Sequence, residues 1–358
     1  MTIDEQKVEA FAERIIADLA ATAHAATVVV GDRLGLYRAL AEGGRQTPAQ
    51  LAGRTGCNAR LVEEWLNAQA ASEYCSYDAA TGTYWLEPEQ EACLVDESGP
   101  AFVLPYVTLA STLHKDEERG AKAFTGEASV AWGDHHHDLY TAVARLTPSD
   151  YAGLVRDWIP ALDGVEDQLR AGARVADIGC GEGLPTVMLA EAFPASTFAG
   201  FDFHPESIAK ARKAAADAGV ADRVTFEVAV ADETPGEGYD LVCTFDAFHD
   251  MGDPVAVARE VRRILAPGGT WIIVDRNAAD TVEGNFNTVG RFSYSASTFV
   301  CVPNALAHGG SFALGAQAGE ARLREVILAG GFAQVRRAAE SPFNLVLEAR
   351  LSLSRSLM

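Results

Sequence analysis

Residues 174–183 read RVADIGCGEG, a short apolar run that ends in glycines at positions 179, 181 and 183. A strand that ends this way hands the chain to the next helix through a turn stripped of side chains. There the main chain can approach a ligand at the helix N-terminus. Further apolar runs follow at 197–202 (TFAGFD), 224–231 (VTFEVAVA), 239–246 (YDLVCTFD) and 270–275 (TWIIVD). Between them lie helical stretches, LPTVMLAEAF, PESIAKARKAAADAG and DPVAVAREVRRILAPGG. A last helix, GEARLREVILAGGF, precedes two final β runs, AQVRRAAE and NLVLEAR. Strands alternating with amphipathic helices predict a parallel sheet covered on both faces. Ligands on such sheets sit at the carboxyl ends of the strands, near the point where strand order reverses.

The spacing narrows the ligand. Asp202 closes the second strand about twenty residues beyond the turn, where a carboxylate can accept both hydroxyls of a ribose. A nicotinamide dinucleotide is the nearest rival, but its fingerprint needs a third glycine where Leu184 stands. Asp232 follows the third strand, FDAFHD the fourth, and LAPGG precedes the fifth.

As a set, these segments resemble the class I S-adenosylmethionine (SAM)-dependent methyltransferases. VADIGCGEG is similar to their first motif, AGFD to their second, and LAPGGTWIIV to their turn into strand five. The resemblance covers residues 150–350. It implies a Rossmann-like, seven-stranded α/β sheet of order 3-2-1-4-5-7-6 with the seventh strand antiparallel. It also implies roles: Asp177 anchors the turn, Gly179, Cys180 and Gly181 approach the methionine part, and Asp202 takes the ribose. Phe203 and Asp232 flank the adenine, while Phe245 and Asp246 line the wall near the sulfonium. S-adenosyl-L-homocysteine is the expected product.

The first part of the chain is helical. Residues 5–42 read as two helices, the second (AATVVVGDRLGLYRALAEGG) stopping at Gly43-Gly44. Thr47 and Asn58 are N-caps, Thr47 with Pro48 in the first turn. The second cap opens a helix with Leu61, Trp65, Leu66 and Ala68 near one face. A hairpin around DAATG follows. Short helix, turn, longer helix and hairpin make a winged helix, a mostly helical N-terminal domain. It resembles the dimerisation module of small-molecule O-methyltransferases, and the whole chain resembles actinobacterial methyltransferases built this way. The predicted division is 1–100 for this domain, 101–165 for a helical linker over the active site, and 166–358 for the SAM-binding domain.

Charge excludes two partner classes. The formal net charge is −21, and over residues 1–150 acids outnumber bases about two to one. The helix that would read DNA carries Glu63 and Glu64 against Arg60 alone. Nucleic acid and anionic membrane are therefore poor partners. The acidic N-terminus lacks a signal-peptide pattern, and AFVLPYVTLASTL is too short to span a bilayer. Six scattered cysteines form no CxxC pair, which reads as a cytoplasmic protein with reduced thiols and no zinc site.

Methyl transfer from a sulfonium neutralises charge, so holding the reactants in line is the main task, and a base is needed only for a protonated acceptor. His249 in AFHDMGD resembles the catalytic base of plant-type O-methyltransferases, with Met251 where those carry tryptophan; the alternative, also from the resemblance, is a histidine that only packs beside the cofactor. The run WGDHHHDLY (132–140) offers His135 and His137 as further bases and Trp132, His136 and Tyr140 as acceptor-pocket residues. Three adjacent histidines cannot converge on one metal from regular structure. An alternative reading has Asp134 capping a helix, with the histidines solvated. Tyr151 and Trp158 lie just before strand one, in a region that closes over the cofactor in relatives, with plain helix packing as the alternative; Arg291 and Tyr294, in the long stretch 277–318, are candidate pocket residues or belong to a helix packed on a dimer partner. The expected function is SAM-dependent methyl transfer to a small molecule by a homodimer. Oxygen is the favoured acceptor; nitrogen, carbon and sulfur stay open. The rivals are a SAM-binding protein of other chemistry and a metabolite-sensing winged-helix regulator.

Overall fold

The computed structural model describes residues 3–310 and 312–352. The chain forms two compact units, and the boundary is not a single cut. One unit runs to Lys115 and takes in His137–Ser149; the other comprises Asp116–His136 and everything from Asp150 onward. The expected linker 101–165 is thus divided between them.

The first unit opens with the helix Glu5–Arg33, whose N-cap Asp4 accepts from the backbone N–H groups of Gln6 and Lys7. The helix does not break near Ala25, as the sequence reading has it. It ends where Gly35 takes φ 67°, and Leu36–Gly43 follows. Gly31, inside the helix, is there for packing: a Cβ would sit 2.5 Å from the Trp65 ring. Trp65 Nε1 in turn donates to the carbonyl of Thr27. Thr47 and Gln50 make a capping box with Pro48 in the first turn, and Asn58 caps Ala59–Ala71. The buried face of that helix is Val62, Trp65, Leu66 and Gln69, whereas Leu61 is 71% exposed. Gln69 is buried because it is fully used: its Oε1 accepts from the Tyr37 hydroxyl, and its Nε2 donates to Thr27 Oγ1. Strands β1 (Ser76–Asp78) and β2 (Thr83–Trp85) form the antiparallel wing.

Val8, Phe11, Ile15 and Leu19 recur at helical spacing on the first helix, and each is more than half exposed. By length and composition Glu5–Arg33 is long and apolar enough to cross a membrane, a property the sequence reading passed over.

The second unit holds a seven-stranded sheet. Its strands are β3 (Arg174–Ile178), β4 (Thr197–Asp202), β5 (Val224–Val228), β6 (Tyr239–Phe245), β7 (Leu265–Arg276), β8 (Gln334–Glu340) and β9 (Asn344–Arg350). The order is β5-β4-β3-β6-β7-β9-β8. Strands β3 to β7 are parallel, and β9 runs antiparallel to both β7 and β8. This is the class I methyltransferase order that the motifs implied, and it reverses between β3 and β6. Side chains on the two faces feed two cores. Leu169, Val187 and Ile208 pack on one, Val257, Val261 and Ile327 on the other. Trp271 on β7 is fully buried between Phe248 and Phe332, at ring distances of 5.0 and 5.2 Å. Its Nε1 donates to Thr244 Oγ1 at 3.2 Å.

Truncating Trp271 removes the largest fully buried side chain and orphans a threonine hydroxyl. Trp271→Ala is expected to cost about 3–5 kcal/mol, read as a lower urea midpoint with little change in slope.

Candidate active site

The carboxyl end of β3 is built by backbone geometry. Gly179, Gly181 and Gly183 all take positive φ (74°, 53° and 75°), which other residues adopt at a cost. The reasons for glycine differ. A Cβ on Gly179 would lie 2.7 Å from that of Ala247, and one on Gly183 would strike the Phe226 ring at 2.5 Å. At Gly181 a Cβ would meet nothing within 4 Å, so the bare main chain there faces open space. The N–H groups of Gly179 and Cys180 both donate to the carbonyl of Phe201, at 2.8 and 3.0 Å. Gly181 N–H donates to Oδ2 of Asp202 at 2.9 Å, and His204 N–H to its Oδ1 at 2.8 Å. Each carboxylate oxygen accepts one bond and keeps capacity for another. Asp202 therefore ties the turn of β3 to the end of β4 and can still receive hydroxyls.

Beneath the turn, Asp177 is fully buried and accepts from Thr186 Oγ1. Burial pushes its carboxyl up to about 7, and Asp202 adds to this, while the Thr186 bond opposes it. Burial likewise raises Asp202, against its two backbone donors. Phe203 packs edge-on against His308 at 4.5 Å. Asp232 is exposed on the short turn Ala231–Glu233.

The ends of β6 and β7 carry a dense charge set. Asp246 has φ 53°, an uncommon value for a residue with a side chain, and its N–H donates to Val274 O. Its carboxylate pairs with Arg276, which also reaches Asp150 at 3.7 Å. Phe245 meets the buried ring of Tyr151 at 5.6 Å, and Tyr151 meets Trp158 at 5.7 Å. Burial, then the nearby Asp246 carboxylate, raises the Tyr151 phenol well above its usual range, so it stays protonated.

His249 is buried, with carboxylates at both nitrogens. Nδ1 lies 2.7 Å from Asp275 Oδ1, and Nε2 lies 3.1 Å from Asp250 Oδ1. These are ion-pair distances, off the line of a well-formed hydrogen bond. Burial acts against the charged ring, but Asp250 and Asp275 outweigh it and hold the imidazolium well above the ordinary histidine range. Ligand-type atoms of His249, Asp250 and Cys301 lie within 4.8 Å of one another, as do those of Asp246, His249 and Asp275. Such atom types could hold a divalent metal, although the imidazolium already answers the carboxylates there.

The histidine run is divided. Trp132–Asp134 is a short 3₁₀ turn, and Asp134 accepts from Ala131 N–H, closing that turn backward rather than capping a helix. His135 is buried, with Nδ1 2.8 Å from Oδ2 of Asp116. His136 is half-buried. His137 opens the helix His137–Asp150, is largely exposed and belongs, with Tyr140, to the first unit. Arg291 is exposed on the helix Thr288–Phe299. Tyr294, on the same helix, accepts from Asn285 Nδ2 at 3.4 Å. Sequence reading missed Asp275 and Arg276, whose signal was their place at the end of an apolar strand. It also missed Asp116, Asp150 and Asn304, for which the sequence carried no signal.

Because Asp177 is raised from 3.8 to about 7 on folding, the folded state holds the proton more tightly than the unfolded chain. Its ionisation therefore lowers stability progressively from about pH 4 to pH 7, then levels off. Asp177→Asn is expected to gain stability over the parent across that window, as the difference in denaturation midpoint measured at each pH.

Residues 169–303 match the family described as Methyltransferase domain, and residues 22–96 match the Rv2258c-like winged HTH domain. The chain is 31% identical over 159 residues to 27-O-demethylrifamycin SV methyltransferase of Amycolatopsis mediterranei, covering 44% of this chain and 57% of that protein. It thus spans about half the length of the curated relatives it matches. The solved structure of the mitomycin 7-O-methyltransferase MmcR superposes with a TM-score of 0.69 at 20% identity, covering 96% of this chain and 99% of that one. Human N-acetylserotonin methyltransferase in complex with SAM gives 0.69 at 16% identity, covering 95% and 97%.

Proposed function

We propose that this chain, built on a class I methyltransferase domain with a winged helix ahead of it, transfers the methyl group of SAM to a small-molecule acceptor. Oxygen is the favoured acceptor atom. One observation carries the reading: the glycine turn of β3 is locked to Asp202 through Gly181 N–H, with open space in front of Gly181. Bare peptide facing a void and a carboxylate at the next strand end suit the amino-acid tail and ribose of SAM. Asp177 would hold the turn from below, Cys180 would lie along it, and Phe203 and Asp232 would flank the adenine. Phe245 and Asp246 would form the wall toward the reacting carbon.

Bound SAM supplies an electrophilic methyl on a positively charged sulfur. The residues of the chain hold the acceptor in line with it and exclude water, which supplies most of the acceleration in such a displacement. The acidic lining of Asp150, Asp246, Asp250 and Asp275 favours a cationic cofactor over its neutral-sulfur product. His249, held as a cation between two carboxylates, is better suited to fixing the β6 and β7 ends than to taking a proton. Tyr151, Trp158, Trp132 and His136 remain proposed walls of the site, as do Arg291 and Tyr294 on the long connection.

The apolar stripe Val8, Phe11, Ile15 and Leu19 supports a homodimer through the first helix, since an apolar surface of this kind gains by leaving water. A DNA-reading regulator is disfavoured because Arg60 is already paired with Glu64 at 2.5 Å and lies 3.7 Å from Glu63. Six unpaired cysteines accord with a reducing, cytoplasmic setting.

Calorimetry should show SAM and S-adenosylhomocysteine each binding, with Asp202→Ala weakening both by about 10- to 100-fold. Uptake of neither ligand by folded protein would end this reading. Incubation with SAM and hydroxylated aromatics should yield methylated product and S-adenosylhomocysteine together. Sedimentation should show a dimer that the double substitution Phe11→Glu, Leu19→Glu converts to monomer.

A further inference from the structure

We infer that His249, Asp250 and Cys301 bind one divalent transition metal of the zinc type, at a site that stands independently of the methyltransferase reading. A ring nitrogen, a carboxylate oxygen and the thiol sulfur of these three residues lie within 4.8 Å of one another. The nitrogen on the Asp250 side is Nε2, 3.1 Å from Asp250 Oδ1. A tetrahedral zinc with bonds of about 2.0–2.3 Å holds its ligand atoms about 3.3–3.8 Å apart. The two separations bracket that spacing. Nitrogen, oxygen and sulfur together select zinc, cobalt or iron over magnesium and calcium, which take oxygen. The scattered cysteines gave no expectation of such a site. The fold supplies it by bringing Cys301, on the long connection, to the turn Phe248–Asp250 after β6.

The other side of the ring has the form that metal-binding histidines use. Nδ1 lies 2.7 Å from Oδ1 of Asp275. A ligating imidazole commonly gives its second N–H to a carboxylate, which fixes the ring and raises its basicity. The His249 and Asp275 side chains are 4% and 3% exposed. Oδ1 of Asp250 is buried without a hydrogen-bond partner, as are Nδ1 of His249 and Oδ2 of Asp275. Buried polar atoms are nearly always paired. A metal on Nε2 would be the partner of Asp250 and would leave the Nδ1 proton to Asp275. The opposite cluster, Asp246, His249 and Asp275, has no sulfur and already holds a cation, because Arg276 pairs with Asp246. Asp250 has no ion-pair partner besides His249 among the described residues.

The three ligands sit on a fixed frame. Asn304, one turn after Cys301 in the helix Cys301–Ala307, donates from Nδ2 to Asp250 O at 3.1 Å. Gly315 N–H donates to His249 O at 3.2 Å. A Cβ on Gly252 would lie 2.6 Å from His308 O, so the two segments touch through backbone. The site also borders the glycine turn: a Cβ on Gly179 would meet Ala247 Cβ at 2.7 Å and Met251 Cε at 3.4 Å, residues on either side of His249 and Asp250. Binding exchanges one dication for two protons. Without metal, and against the cost of burial, Asp250 and Asp275 hold a proton on each ring nitrogen, and burial pushes the Cys301 thiol up to about 11. The metal displaces the Nε2 and Sγ protons, which leave to water. The exchange therefore adds no buried charge. Three protein ligands leave a fourth position for water.

The test titrates Co2+ into the tag-free full chain, stripped with a chelator and with its thiols reduced. One Co2+ per chain should bind with a sulfur-to-cobalt charge-transfer absorption. One equivalent of Zn2+ should abolish that absorption, and excess Mg2+ should not. Cys301→Ser should lose the absorption and weaken Zn2+ binding by at least about 10-fold, and Asp275→Asn should weaken it about 10- to 100-fold while keeping the absorption at saturation. Cys57→Ser, in the first unit, should match the parent. Circular dichroism without metal checks the fold of each variant, and Asp250→Asn, expected to weaken Zn2+ binding by at least about 10-fold, stands in if Cys301→Ser does not fold. Absence of the absorption in the parent, its persistence in Cys301→Ser, or metal uptake that Mg2+ competes away overturns the site and leaves the methyltransferase reading untouched. SAM binding by metal-free protein is measured separately by calorimetry; its absence ends that reading and leaves the metal site standing.

Discussion

Three backbone N–H groups hold the second unit's ligand end in shape. Those of Gly179 and Cys180 converge on one carbonyl, that of Phe201, and that of Gly181 ends on the Asp202 carboxylate. Each bond crosses from β3 to β4, so the two strand ends are fixed as one piece before any ligand arrives. The arrangement demands left-handed backbone at alternate residues, which is why glycine recurs there. Beneath the turn the buried Asp177 accepts from Thr186 Oγ1, and its burial raises its proton affinity. Beside this edge stand an aromatic side chain beyond Asp202 and a charge set across the ends of β6 and β7.

In the charge set, acids are kept near one another by shared cations. Asp246 and Asp150 share Arg276, and Asp250 and Asp275 share His249. Each cation is bracketed by two carboxylates, so the strand ends retain net negative charge in a low-dielectric setting. Removing either cation would leave buried carboxylates facing each other, a costly arrangement. Burial opposes the charged ring of His249, and its two carboxylates outweigh that and hold it above the ordinary histidine range.

Much of this was legible in the chain before the structure. The strand alternation predicted a parallel sheet because it depends on local periodicity, and the order of its strands came from the resemblance that the DIGCGEG, AGFD and LAPGG segments carry. The winged helix was legible from Thr47, Pro48, Asn58 and the hairpin. Other features were not. Leu61 looks like a core residue by its apolarity, but the helix turns Val62 and Gln69 inward, since Gln69 finds partners in Tyr37 and Thr27. The first helix runs to Arg33 because nothing in an alanine-rich stretch stops it, and Gly31 serves the Trp65 ring rather than a break. The state of His249 was invisible because Asp275 lies on another strand. The three histidines met three different fates because a 3₁₀ turn and a helix start fall between them.

The chain's path has its own consequence. It leaves the first unit after Lys115, contributes Asp116–His136 to the second, and returns for His137–Ser149 before leaving for good. On a ribosome, the N-terminal unit cannot complete its own packing until this late helix has emerged, although most of its core is synthesised far earlier. Nor could a single recombination event at the first crossing exchange the N-terminal unit between relatives, because its last helix would stay behind. Inheritance of the two units is thus coupled by the thread that joins them.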